Sequence, residues 1–381
     1  MKVAKLLFSD GNWISERNDE NLDYHTAHLV LGFGTREILE NNEFYLLIKR
    51  KFPNADIALS SSSGEIFSNE VYDNTVVLTV IGFSKSQVKT TQIDIDNFQN
   101  SFDAGSALMQ NLEKKNLKWV FVLSDGSKVN GSQLVEGINK MRPADVLVSG
   151  GLAGDGNHFE KTAVGLNQTP EPNKIVAIGF YGDHLELSHS SCGGWESFGL
   201  ERTVTKSHNN ILYEIDHKNA LDLYKKYLGK YAEELPGSAL LFPLSMRSTE
   251  DDTHVVRTIL SINEKENMMI FAGDLPEGGK VRFMKANMDR LTDAASAAAN
   301  ECLELNQNHI PKMAIIISCV GRKLVLGERI PEEVEMVMDI FGPKPIISGF
   351  YSYGEISPLK AFQNCALHNQ TITITTLNET E

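Results

Sequence analysis

One pattern occurs three times along the chain, and it limits the possible folds more than any other feature. The first copy is HLVLGFGTREILENNEFYLLIKRKFPNADIALSSSSGEI, residues 28–66. The second is KWVFVLSDGSKVNGSQLVEGINKMRPADVLVSGGLAGDG, residues 118–156, and the third is KMAIIISCVGRKLVLGERIPEEVEMVMDIFGPKPIISGFYSYGEI, residues 312–356. Each opens on a short run rich in Val, Ile, Leu and Phe, which reads as a buried strand. A polar loop follows, then apolar residues at helical spacing: Phe44, Leu47 and Ile48; Leu134, Ile138 and Met141; Val334, Val337 and Met338. A proline stops each helix (Pro53, Pro143, Pro343), since it can neither donate nor continue the turn. A second apolar strand then ends in a loop of small residues carrying a glycine and an acid, at 60–65, 149–155 and 348–355.

Copies one and two continue into further strands of matching phase, TVVLTVIGFSKSQVKTTQIDI and KIVAIGFYGDHLELSHS. The third closes on ALHNQTITITTL, whose alternation of Thr and Ile predicts a half-exposed strand. Three copies of so long a period are too few for a solenoid. The expected fold class is therefore α/β (α+β): mixed β-sheets with packed helices, built from duplicated β-α-β-β type units.

A chain of 381 residues exceeds one ordinary core, so two domains are expected. Between copies two and three, NALDLYKKYLG (219–229) predicts a short amphipathic helix stopped by glycine. GSALLFPLSM, HVVRTILSI and MMIFAGDLPEGGKVRFM predict strands. Met288, Leu291, Ala295, Ala298, Cys302 and Leu305 then fall at helical spacing. The boundary is placed at 219/220: an N-terminal domain over 25–219, a C-terminal one over 220–360, and a strand in 361–381 that completes the latter.

The net charge of -14 argues against a nucleic-acid partner, which would need a basic stripe. No run is long enough to cross a bilayer, and the opening residues do not read as a signal peptide. The four cysteines, Cys192, Cys302, Cys319 and Cys365, show no zinc or c-type haem spacing, which suits a reduced cytoplasm. GGLAGDG lacks the lysine of a phosphate-binding loop, and HExxH and GxSxG are absent.

Small-molecule sites in α/β proteins favour the carboxyl ends of strands, where backbone N–H groups stay free. The third copy's loop therefore supplies the candidate ligand contacts Ser348, Gly349, Tyr351, Tyr353 and Glu355, and the second copy's loop supplies Gly151 and Asp155. Small residues let a ligand approach the backbone, the tyrosines would wall a pocket, and the acid would receive an ammonium or cap a turn. Arg322, just beyond a strand end, would grip a carboxylate or pair with Glu355 or Glu335. Read as one strand, residues 180–189 place His189 on a face with Tyr181, Asp183, Leu185 and Leu187, and His184 among polar groups.

Several motifs together resemble the FIST family, named for F-box and intracellular signal transduction. GGLAGDGNHFEKT (150–162), CGGWESFG (192–199), TVTKSHNNILYEID (203–216) and NALDLYKKYLG look like its N-terminal half. LPEGGKVRF (275–283), SCVGRKLVLG (318–327) and SGFYSYGEISP (348–358) look like its C-terminal half. The resemblance implies a bacterial sensory module that binds small ligands, with amino acids proposed. Stand-alone members bind haem, sense nitric oxide and act on a partner histidine kinase. The expectation is thus a non-catalytic intracellular sensor, haem b being the concrete candidate ligand, with His189 as its iron ligand and His158 and Cys192 as rivals. An amino-acid-like metabolite held by Arg322 and Glu355 is the alternative. A hydrolase using Cys319 or a serine of SSSSGE is the rival class, with no recognisable base beside either nucleophile.

Overall fold

A computed structural model describes residues 1–235, 237–247, 254–358 and 363–380. The three copies fold alike. In each, two parallel strands flank a helix: Leu29–Gly34 with Asp56–Ser61, Leu117–Ser124 with Leu147–Leu152, and Met313–Cys319 with Ile346–Ser352. The intervening helices are Asn42–Lys51, Gly131–Met141 and Ile330–Phe341, each ending two residues before its proline. A third strand lies antiparallel beside the first of each pair: Val76–Gly82, Lys174–Tyr181 and Ile372–Glu379.

No copy completes its own sheet. The short strand after each loop leaves for another copy. Glu65–Phe67 pairs with Ile346–Ser352, Val164–Leu166 with Asp56–Ser61, and Gly354–Pro358 with Leu147–Leu152. Long strands cross in the other direction. Gln87–Asp94 joins Lys174–Tyr181, and Leu185–Cys192 joins Ile372–Glu379. Lys2–Ser9 takes the corresponding place beside Val76–Gly82. Three six-stranded sheets result, matching in order over five strands; the sixth lies beside Lys2–Ser9 in the first sheet and beside the short loop strand in the other two.

Alternation along each first strand feeds two cores, which is why these runs are apolar throughout. Leu29, Leu31 and Phe33 meet Trp119, Phe121 and Leu123, and Met313, Ile315 and Ile317, in one central core. Val30, Val120 and Ile316 point outward, each under its own copy's helix. The helix Met288–Leu305 packs on the third sheet through Ala295, Ala298 and Cys302, and Ser101–Gln110 packs on the second.

Two sequence expectations change here. Residues 180–189, read as one strand, belong to two, because Gly182, with φ of +130°, turns the chain from the second sheet to the third. Residues 372–377, expected to be half exposed, are buried, since Ile372–Glu379 lies between two strands of the third sheet with the central core on one side.

Residues 196–285 form a separate eight-stranded sheet that packs on this body, with the helix Ala220–Leu228 against it. Glu196–His208, upstream of the expected boundary at 219/220, pairs with Lys280–Lys285 downstream of it, so in space this sheet spans that boundary. The expected 360/361 boundary lies outside the described residues. Buried Arg257 docks the sheet on the body, donating to the Leu367 carbonyl at 2.8 Å, and Asn130 donates to Asp274 at 3.0 Å.

Candidate ligand site at the strand ends

The parallel strands of all three copies end at one mouth, and three clefts open there. The first, of about 370 Å³, lies at copy one between Arg36, Ser63, Glu65, Asp155 and His158. The second, of about 420 Å³, lies at copy two beside Lys128, Asn130, Phe159, Asp274 and Tyr353. The third, of about 490 Å³, lies at copy three beside Thr258, Leu260, Cys319, Tyr353 and Asn369. All fall in the size range of small-molecule pockets. They share walls: His158 lines the first and third, while Phe159 and Tyr353 line the second and third.

A strap at 155–161 carries these shared residues. Asp155, nearly buried, accepts from the backbone N–H groups of Phe159 (2.9 Å), Glu160 (3.1 Å) and Lys161 (2.8 Å). The Tyr353 hydroxyl also donates to Asp155 and accepts from Phe159 N–H at 2.9 Å. The Phe159 and Tyr353 rings stack with centroids 4.7 Å apart. One carboxylate thus folds the loop, and one ring from copy three holds it over the clefts.

Of the expected ligand contacts, Tyr353 and Asp155 line clefts. The other expected ligand contacts lie within the packed body and line none of the three clefts. Ser348 shares a hydrogen bond with Thr79 at 2.5 Å. Gly349 sits inside its strand, where a Cβ would stand 1.8 Å from the Ile316 carbonyl oxygen. Gly151 is likewise inside a strand, between Phe350 and Ile317. The buried Tyr351 hydroxyl donates to Glu333 at 3.0 Å. Arg322 is fully buried: it pairs with Glu333 at 2.6 Å and donates to the carbonyls of Leu291 (2.7 Å) and Gly193. Neither Glu355 nor Glu335 is its partner, and its charge is already matched.

Glu355 is buried too. It accepts from Ser352 Oγ (2.7 Å), Thr371 Oγ1 (2.8 Å) and Thr371 N–H (3.2 Å). Burial still raises its pKa to about 7, because three neutral donors do not replace the lost hydration. Glu65 repeats the arrangement with Ser62 and Thr75, and its pKa also rises to about 7 through burial. These acids brace their loops from within. Copy two departs: Val164 takes the strand position of the two glutamates, and Asp125 ties the loop through Thr162 and Lys128 N–H.

His189 lies between sheets with both ring nitrogens engaged, Nδ1 with Thr375 Oγ1 (2.9 Å) and Nε2 with Ser357 Oγ (2.8 Å). Burial pushes its pKa down to about 3, with the imidazole of His368 as a lesser cause. It does share a face with Leu185 and Leu187, but that face is the central core and not a cavity. These residues do not fit a haem iron. Cys192 lines none of the clefts, so His158 is the notable rival that does. Cys319 lines the third cleft, but burial, and then the nearby Glu355, hold its thiol far above the ordinary range.

Phe159, Asn369 and Thr258 are among the cleft residues that escaped the sequence reading. Asn369 is fully buried, and neither atom of its side-chain amide finds a hydrogen-bond partner among the described residues. The Thr258 hydroxyl is unpartnered in the same way. A lone Asn ahead of a strand and a Thr between two strands carry no distinguishing spacing. Their role emerges only where the separate sheet meets copy three.

This is an α/β body with a ligand-sized mouth and a β-rich unit closing one side of it. The chain belongs to the FIST family: the FIST N domain matches residues 28–218 and the FIST C domain matches residues 220–358. FIST domains are small-ligand sensing domains of signal transduction. No curated protein matches the chain. Among solved structures it is similar to cyanuric acid hydrolase from A. caulinodans at 7% identity and a TM-score of 0.39, over 100% of each chain. That likeness is too distant to bear on chemistry. No helix among the described residues is long and apolar enough to cross a membrane.

Proposed function

We propose that this chain is a non-catalytic intracellular sensor whose ligand enters the mouth shared by the three clefts. The observation that carries this reading is the strap, because Phe159 and Tyr353 line two clefts at once and Asp155 holds them together. A ligand seated in either cleft must press on that stack. The third cleft lies between the β-rich unit and the body, so occupancy also alters how the two dock. Signalling would follow through a separate protein, a histidine kinase being the candidate.

A catalytic reading has less support. The Ser62 hydroxyl donates to the Glu65 carboxyl and Ser63 Oγ donates to the Gly156 carbonyl, so neither is paired with an imidazole. The Cys319 thiol is held protonated and has no imidazole to activate it in its hydrogen bonds.

Haem and nitric oxide form the finer version of the reading. The feature favouring it is His158, an exposed histidine on the wall of two clefts. Titration with haemin tests it: a Soret band that shifts under nitric oxide and is lost in His158→Ala supports haem, and a flat spectrum removes it. The sensor reading itself is tested with a metabolite library and hydrogen exchange. At least one compound should raise Tm and slow exchange at 159–161. If no compound does either, the reading fails.

A further inference from the structure

The third cleft has a chemical character of its own. Its walls are Leu240, Ile259, Leu260, Ala272 and Val320, closed on one side by the Phe159–Tyr353 stack. Among the described residues no Asp, Glu, Lys or Arg lines it. A ligand's ammonium would leave water there with no carboxylate to neutralise it, and exposed His158 is the one basic side chain on the described wall. Beside His158, Ser261, Cys319 and the Tyr353 hydroxyl, the cleft holds the Asn369 amide and the Thr258 hydroxyl, both buried and both without a partner among the described residues. Buried polar atoms are paired in the great majority of folded proteins, so two such groups at one cleft point to a partner supplied from outside. A carboxamide presents a donor and an acceptor side by side. Its complement is an edge with an acceptor and a donor at the same spacing, which a cis secondary amide provides.

We propose that this cleft takes a small neutral molecule with an apolar body and a cis-amide edge, of the lactam or cyclic-dipeptide type, paired with Asn369 and capped by Thr258. The inference rests on the sensor reading and specifies its ligand. The amide of Asn369 can turn over to suit either direction of the edge, so recognition does not depend on which of its atoms is oxygen. The leucine and isoleucine walls receive the body, and the aromatic stack covers it. A free amino acid or dipeptide is disfavoured by the same walls, since no carboxylate among the described lining residues meets its ammonium.

Calorimetric titration with three probes tests this: cyclo(Leu-Phe), its N,N′-dimethyl derivative, and the linear dipeptide Leu-Phe. The cyclic dipeptide should bind, the linear one should not, and methylation should weaken binding by roughly ten-fold or more, because a buried acceptor is then left unpaired. Asn369→Leu should bring the two cyclic probes to equal affinity. Thermal melts confirm that this variant folds, and Thr258→Val provides a second, smaller loss if it does not. Equal affinity of the two cyclic probes for the wild-type protein, preferred binding of the linear dipeptide, or no binding of any probe overturns the proposal. A charged compound found by the library screen to bind in this third cleft would overturn it while leaving the sensor reading intact.

Discussion

Glu355→Gln should remove a large part of the pH dependence of stability, and the geometry gives both the sign and the size. The carboxyl has a pKa of about 7 in the folded chain against an ordinary 4.5. Below 4.5 it is protonated in both states and costs nothing. Between 4.5 and about 7 the unfolded chain ionises while the folded chain still holds its proton, so stability drains away as pH rises and is fully lost above 7. The loss is about 3 kcal/mol, at 1.36 kcal/mol per pKa unit. Gln is nearly isosteric: its oxygen can accept from Thr371, and its NH2 can donate to Ser352 once that hydroxyl turns. The re-paired hydrogen bond gives back about 1 kcal/mol. Urea unfolding at pH 5 and pH 8 measures it. The wild-type protein should lose about 2.5 kcal/mol more than the variant over that interval, the rest being lost already at pH 5, and the variant should be the more stable of the two at pH 8 by about 2 kcal/mol. Comparing the two proteins cancels other titrating groups such as Lys5, whose pKa burial lowers to about 7. Identical pH slopes for wild type and variant would refute the reasoning, since they would mean that Glu355 is ionised in the fold at no cost.

Arg322→Met should destabilise the chain by about 3–5 kcal/mol in the same assay, because it strands Glu333 without its cation in the core. Tyr353→Phe should leave global stability within about 1 kcal/mol but speed exchange of the Phe159 amide roughly ten-fold, as the strap loses the hydroxyl that holds it. His189 is neutral in the fold, with a pKa of about 3 against 6.5. The stability it contributes is full above 6.5 and is lost as pH falls toward 3, so His189→Gln should shrink the drop in urea midpoint between pH 6.5 and 4. The same variant should leave any haemin spectrum unchanged.

The three copies were legible because each is a local pattern: an apolar run, a helical spacing, a proline and a second run. The helices end where those prolines require, and Glu65 and Glu355 do occupy matching positions. Asp155 did not match them, because the excursion at 153–163 moves copy two's strand on to Val164. Strand exchange left no local mark, since a strand's own residues say that it is buried but not whose sheet it joins. Several candidate contacts lie away from the clefts for a related reason. Small residues and an acid at a strand end suit a ligand or an inner brace equally well, and burial decides between them only in the assembled body. Tyr351 and Tyr353 sit two apart, yet one points into the core and the other caps a cleft.

The exchange of strands has a mechanical consequence. Copy one gives to three and to two, two gives to one and to three, and three gives to two. The body is therefore a closed circuit of loans in which no member can be withdrawn without exposing raw edges on the others. Such a circuit has no hinge between its thirds. A ligand cannot signal by swinging one copy against another, so its message must leave through what lies outside the circuit: the strap at 155–161 and the docked sheet of 196–285.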